Sequence, residues 1–238
     1  MLNPALHLIG TVHVDPMGTE RLDRVLADFS PDVIALEMAK SRDRTDSDAV
    51  RNRRVEDLVS SLDLYSEEER AIIKRFCTYV SDDVWGYELK SSKEYVQKNP
   101  KTKLEYIDLD TVNPDDLFLL LVSAFKQFLP KKAENVESLI SDLKLMVAVS
   151  YFQNDIGRPQ TELKDIDIKG MSEKDVQTLA AIYSPKRDDF MAENIRRLYT
   201  ENRVIAIVGV EHLNGLKRRL EDLCPTVLAL NEAAKKYI

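Results

Sequence analysis

Ala5-Leu6-His7-Leu8-Ile9 and Val33-Ile34-Ala35-Leu36, with Leu22, Val25, Leu26 and Phe29 between them, decide how this chain folds. The two runs are short and almost continuously apolar, the pattern of strands buried on both faces. The four residues between them recur at +3, +4 and +7, which puts them on one helical face. Asp15-Pro16 offers a helix start with proline at the first position, and Ser30-Pro31-Asp32 offers its end. Strand, helix and strand in that order favour parallel pairing.

Three further strands are expected at Leu104–Ile107, Val204–Val208 and Val227–Leu230. A helix is expected from about Glu211 to Leu223, with Leu213, Leu216, Leu220 and Leu223 on one side. Another begins at Ser184-Pro185 and runs through about Thr200. Residues 42–98 and 113–156 carry Leu, Ile, Lys and Glu at helical spacing, with a break at Asn99-Pro100. Lys40 to Arg54 is dense in both signs of charge and reads as a solvated helix or a mobile segment. Gln153 to Gln160 reads as a loop, and Ser172 with Asp175 resembles a capping box. The expected architecture is a single α/β domain over residues 1–238. Its largely parallel or mixed sheet of about five strands is flanked by helices. The core comes from residues 1–40, 100–112 and 165–238, and the helical insertions are 42–98 and 113–160.

Composition narrows the function classes. With 44% apolar and 32% charged residues, the 238-residue chain has the balance of a soluble globular protein. Seven glycines and nine prolines are few, which favours a helix-rich fold over a turn-rich β fold. A net charge of −7 argues against nucleic acid and anionic membranes as partners. Cys77 and Cys224 are isolated, so reduced thiols in a cytoplasmic protein are expected. Cys224 ends an apolar helical stripe and reads as a small core residue. Met1 to Pro16 lacks the basic-then-apolar order of a secretory signal. The most apolar window, Leu117–Phe125, is much shorter than the roughly 20 residues of a membrane span. It reads as a buried helix or a homo-oligomer contact.

The chain has three histidines, and two share a frame: Gly10-Thr11-Val12-His13 and Gly209-Val210-Glu211-His212. Each frame follows an expected strand. The second strand ends in Glu37, and the third in Asp108 with Asp110 close behind. If the strands are parallel, these groups converge on one sheet edge, where open α/β sheets keep their ligands. Histidine with carboxylate suits Zn²⁺, Mn²⁺ or a related ion, which would activate a water and polarise a carbonyl. Each group also has a structural reading. The histidines can be hydrogen-bonded core residues, Glu37 can cap a helix or pair with Arg42, and Asp108 can belong to a turn. His7, six residues before His13, lies roughly 20 Å away along an extended chain and is left outside the site. Arg187, Met191, Asn194 and Leu198 share one face of a helix that should point inward. A buried arginine needs an anion, either Glu37 or Asp108 or a substrate carboxylate.

Taken in order, Gly10-x-x-His13, Pro31-Asp32-Val33 through Glu37, Arg42, and Tyr106-Ile107-Asp108-Leu109-Asp110 resemble the TraB/PrgY family. Arg187-Asp188-Asp189-Phe190-Met191-Ala192 looks like that family's Arg-Asp-x-x-Met-Ala helix start. Val208-Gly209-x-x-His212-x-x-Gly215-Leu216 looks like its closing motif, and Gly86-Tyr87-Glu88 like a weaker one. The matches span most of the chain, although residues 43–85 and 113–183 contribute little. Two features depart from the family: Leu109 replaces a usual arginine, and the C-terminal membrane helices of many relatives are not seen.

The resemblance implies kinship with Tiki metalloproteases, erythromycin esterases and ChaN-like haem-binding proteins. It implies His13, Glu37 and His212 as ligands of a divalent ion (Mn, Co or Zn), with Glu37 or Asp108 as general base. Arg187 and Asn194 would shape the site, and Arg187 could stabilise the oxyanion or grip a substrate carboxylate. The expected activity is a metal-dependent, peptidase-like hydrolase acting on a peptide or small molecule. The alternatives are a protein that sequesters such a ligand without turnover, as in pheromone shutdown, and a metal-free esterase using histidine.

Overall fold

All five apolar runs are strands of one sheet. They are β1 (Ala5–Thr11), β2 (Val33–Leu36), β3 (Lys103–Tyr106), β4 (Arg203–Gly209) and β5 (Thr226–Ala229). The computed structural model describes residues 5–40, 48–63, 65–84, 86–109, 134–153, 176–177, 180–181, 184–200 and 202–236. The strand order is β3-β2-β4-β1-β5, and every neighbouring pair is parallel. Of the two arrangements expected, the parallel one holds throughout.

Helices cover both faces. One layer contains α1 (Gly18–Phe29), α2 (Asp48–Ser60), α3 (Glu67–Tyr79), α4 (Tyr87–Lys98), α5 (Val136–Gln153) and the C-terminal α8 (Leu230–Lys236). The other contains α6 (Pro185–Tyr199) and α7 (Leu213–Arg219). Alternation along the strands divides the core between the layers. Ile205 and Ile207 of β4 face the first layer, with Ile9, Ile34 and Leu36. Val204, Ala206 and Val208 face the second, with Leu6, Leu8, Val33 and Ala35. Because both faces are apolar, the central strands β1, β2 and β4 appear in sequence as near-continuous hydrophobic runs. Leu22, Val25 and Leu26 of α1 are fully buried against this sheet. Burial of each stabilises the fold by about 1.5–3 kcal/mol.

Several local expectations change. Helix α1 starts at Gly18, after Asp15-Pro16, because the Asp15 carboxylate is occupied in a turn. It accepts from Met17 N at 2.9 Å, Arg21 at 2.6 Å and the Tyr151 hydroxyl at 3.0 Å. The segment after β4 divides into a 3₁₀ turn (Val210–His212), α7, and a second 3₁₀ turn (Glu221–Leu223). Cys224 consequently falls beyond the apolar stripe. It is exposed, with φ at 49°, and is not a core residue. Cys77 is buried. Residues 42–98 do carry helices, and α4 packs on α1 and reaches β2 and β3. Arg42, Asp110, Leu117–Phe125, the Gln153–Gln160 loop beyond Gln153, and Ser172 with Asp175 lie outside the described residues. No described helix is long and apolar enough to cross a membrane.

The connections create a switch point. From β1 the chain passes through α1 in the first layer to β2, beyond β4. From β4 it passes through α7 in the second layer to β5, beyond β1. The adjacent strands β1 and β4 therefore send their connections in opposite directions. A crevice outside their carboxyl ends is the usual ligand position in open α/β sheets. The two Gly-x-x-His frames are the segments that leave these two strands.

Candidate active site

Register places the frames side by side: Thr11 pairs with Gly209, and Gly10 with Val208. A side chain at Gly10 would overlap Leu213 and crowd the Val210 backbone. Its absence lets the turn after β4 cross the end of β1. The Thr11 hydroxyl donates to the Val208 carbonyl at 3.2 Å and ties the two strands at this point.

Glu37 extends the ladder, its N–H donating to the Ile207 carbonyl at 2.9 Å. Its carboxylate then bridges three elements. One oxygen accepts from Arg187 at 2.7 Å and lies 3.3 Å from His212 Nε2. The other accepts from Gly209 N–H at 2.5 Å. Arg187, in the first turn of α6, also grips Asp108 through two bonds of 3.0 and 2.7 Å. Arg187 and both carboxylates are buried, so their charges compensate one another away from water. The sequence left three anions open for Arg187; it binds both protein carboxylates.

His212 is 3% exposed and lies between two acids. Its Nδ1 is 2.6 Å from Asp188 Oδ1, and its Nε2 has no hydrogen-bond partner. Asp188 follows Arg187 in the first turn of α6, and its second oxygen lies 3.4 Å from Arg219 on α7. A Cβ at Gly215 would overlap that carboxylate oxygen, so the glycine admits Asp188 between the helices. His13 is held in a matching way, its Nδ1 2.8 Å from Glu88 Oε1 in the first turn of α4. The His13 side chain is 44% exposed, whereas Glu88 is buried. The Tyr87 hydroxyl donates to the Val12 carbonyl at 3.3 Å and steadies the same loop.

These charges set one another's ionisation. Burial opposes charge on His212, but Glu37 and Asp188 raise its pKa well above the ordinary histidine value. Burial likewise opposes charge on Glu37, yet His212, Arg187 and His13 hold it well below the carboxylate range. For His13, whose ring is 44% exposed, partial desolvation opposes charge, and Glu88, Glu37 and Glu211 raise its pKa.

Four of the residues read from sequence meet directly: Glu37, Asp108, Arg187 and His212. His13 leaves the neighbouring strand within electrostatic reach of Glu37. Asn194 stands apart, donating to the Ile107 carbonyl at 3.3 Å and the Phe190 carbonyl at 3.1 Å. It braces the end of β3 against α6. Sequence reading missed Glu88 and Asp188 as site residues. Their signals were adjacency to residues already singled out, Gly86-Tyr87 and Arg187, and a place in a helix's first turn.

No family model and no curated protein matches this sequence. The site must therefore be judged on its own chemistry. Two imidazoles oriented at Nδ1 by carboxylates, with a buried Nε2 lacking a hydrogen-bond partner beside Glu37, fit the donor chemistry of a divalent cation. Among the described residues, no group of three or more His, Cys, Asp or Glu is drawn together as a metal centre.

Proposed function

We propose that this protein is a metal-dependent, peptidase-like hydrolase whose centre lies over the ends of β1, β2 and β4. The observation that carries the reading is His212. Its Nδ1 is held by Asp188, while its buried Nε2 makes no aligned hydrogen bond and faces a Glu37 oxygen at 3.3 Å as an ion pair. The resemblance to TraB/PrgY proteins supports the same residues.

His13, Glu37 and His212 would hold the ion (Mn²⁺, Co²⁺ or Zn²⁺). When bound, it would supply an acidified water and a polarised carbonyl for attack on a peptide or small-molecule substrate. Arg187 keeps Glu37 ionised and in place. Asp108 gives both oxygens to Arg187 and serves as its anchor, not as the proton acceptor. The same engagement occupies Arg187, so gripping a substrate carboxylate is not its task.

The Asp188–His212 pair also favours a second reading, a metal-free esterase with a catalytic His212. Metal analysis after mild purification, with a peptide and ester cleavage screen under Mn²⁺, Co²⁺, Zn²⁺ or chelator, separates the two. Metal-dependent cleavage lost in His13→Ala and His212→Ala supports the first. Chelator-resistant ester cleavage lost only in His212→Ala supports the second. Absence of bound metal, with no activity sensitive to either substitution, overturns both. Ligand binding that survives chelator without turnover would point to sequestration.

A further inference from the structure

Glu88 and Asp188 lie 100 residues apart in sequence and on different helices, in different layers. Each nevertheless stands in the first turn of its helix and meets the Nδ1 atom of one histidine from a Gly-x-x-His frame. The separations are 2.8 Å for Glu88 and 2.6 Å for Asp188. An imidazole whose Nδ1–H donates to a carboxylate has its ring orientation fixed and its other nitrogen directed elsewhere.

We propose that Glu88 and Asp188 are a matched pair of positioning residues, each locking one imidazole and committing its Nε2 to the ligand. This rests on the reading of His13 and His212 as ligand-facing groups. The two clamps differ in stiffness. Asp188 is itself fixed by Arg219, which also binds Asp189 at 2.6 Å and the Gly215 carbonyl at 3.1 Å. Both members of the Asp188–His212 pair are buried. Among the described residues the Glu88 carboxylate has one hydrogen-bond partner, His13, whose ring is 44% exposed. His212 is therefore the fixed member of the pair and His13 the adjustable one.

The roles of the clamps follow from what an amide can replace. Glutamine or asparagine keeps an oxygen that accepts from Nδ1–H but removes the charge. Positioning tolerates that change, and alanine does not. The test measures ¹⁵N-labelled imidazole spectra and Mn²⁺ affinity on intact wild type, Glu88→Ala, Glu88→Gln, Asp188→Ala and Asp188→Asn. Thermal unfolding confirms that each is folded. A hydrogen-bonded Nδ1–H resonance is expected for both histidines. Glu88→Ala should abolish only the His13 resonance, and Asp188→Ala only that of His212.

Mn²⁺ affinity should fall about 10- to 100-fold in each alanine variant and recover to within severalfold in the amides. Unchanged resonances in the alanine variants overturn the inference. So does a glutamine variant that loses Mn²⁺ as completely as alanine, since charge would then be the active property. If wild type takes no Mn²⁺ while the resonances respond as expected, the metal reading falls and the positioning assignment stands. Should Asp188→Ala fail to fold, Asp188→Asn and Glu88→Ala still provide both outcomes.

Discussion

Arg187→Ala removes the side chain that, among the described residues, joins Asp108 to Glu37. The guanidinium forms three bonds of 2.7 to 3.0 Å to two carboxylates whose side chains are 1% and 6% exposed. Removing one partner of a buried ion pair costs about 3–5 kcal/mol, because the charge left behind is uncompensated. Here each carboxylate keeps another donor. Leu109 N–H remains on Asp108 at 2.7 Å, and Gly209 N–H remains on Glu37. The expected loss is thus nearer about 3 kcal/mol, more than a hundredfold in the folded ratio. Urea unfolding followed by far-UV circular dichroism should show the midpoint falling by about 1 M. The pH dependence has a definite sign. The depressed pKa of Glu37 contributes stability above its unfolded value and loses it as pH falls through the folded one. The difference between wild type and variant should accordingly be largest at neutral pH and shrink in acid. Arg187→Lys should recover only part of the loss, since a point charge cannot reproduce the fork on Asp108. A loss below about 1 kcal/mol at neutral pH, or one that grows in acid, would refute the buried network.

Gly215→Ala should push the Asp188 carboxylate aside, costing about 1–3 kcal/mol and removing the His212 Nδ1–H resonance; an unperturbed spectrum contradicts the close packing. The raised pKa of His13 contributes stability fully present below about pH 6.5 and lost as pH rises towards about 10. Urea midpoints across that window should fall less steeply in Glu88→Gln than in wild type, and parallel profiles would refute the pairing. Ser66→Ala should cost about 1 kcal/mol by removing the capping box with Glu69 at the start of α3, read from thermal unfolding.

The central strands were the most legible, because β1, β2 and β4 are buried on both faces, whereas the outer β3 and β5 are only partly buried. Val33–Leu36 and Val204–Val208 had to be apolar throughout. The start of α1 was harder to read, since Asp15 serves Met17, Arg21 and Tyr151 before any helix begins. Tyr151 is distant in sequence, so this competition is invisible locally. The break in the helix expected from Glu211 to Leu223 arises in the same way. Leu213, Leu216 and Leu220 keep their spacing, but the packing across Gly10 fixes where the turn must tighten.

In the site, Glu37, Asp108 and the two glycine-framed histidines could be named because each follows a strand. Parallel strands must present such residues at a common edge. Their partners could not be assigned in advance. Arg187 had three acceptable anions, and Glu88 and Asp188 carried no periodic signal that related them to histidines.

The sequence by itself determined an α/β sheet, largely parallel or mixed, and the chemical groups at the ends of its strands, because hydrophobic period and strand-end position are local properties. Only the tertiary structure decided that β4 inserts between β1 and β2, which makes the two Gly-x-x-His strands neighbours. It alone assigned Glu88 to His13, Asp188 to His212, and Arg187 to both Glu37 and Asp108. Those pairings depend on distance and burial in the folded chain, where desolvation penalises every unpaired charge, and neither quantity is written in sequence spacing.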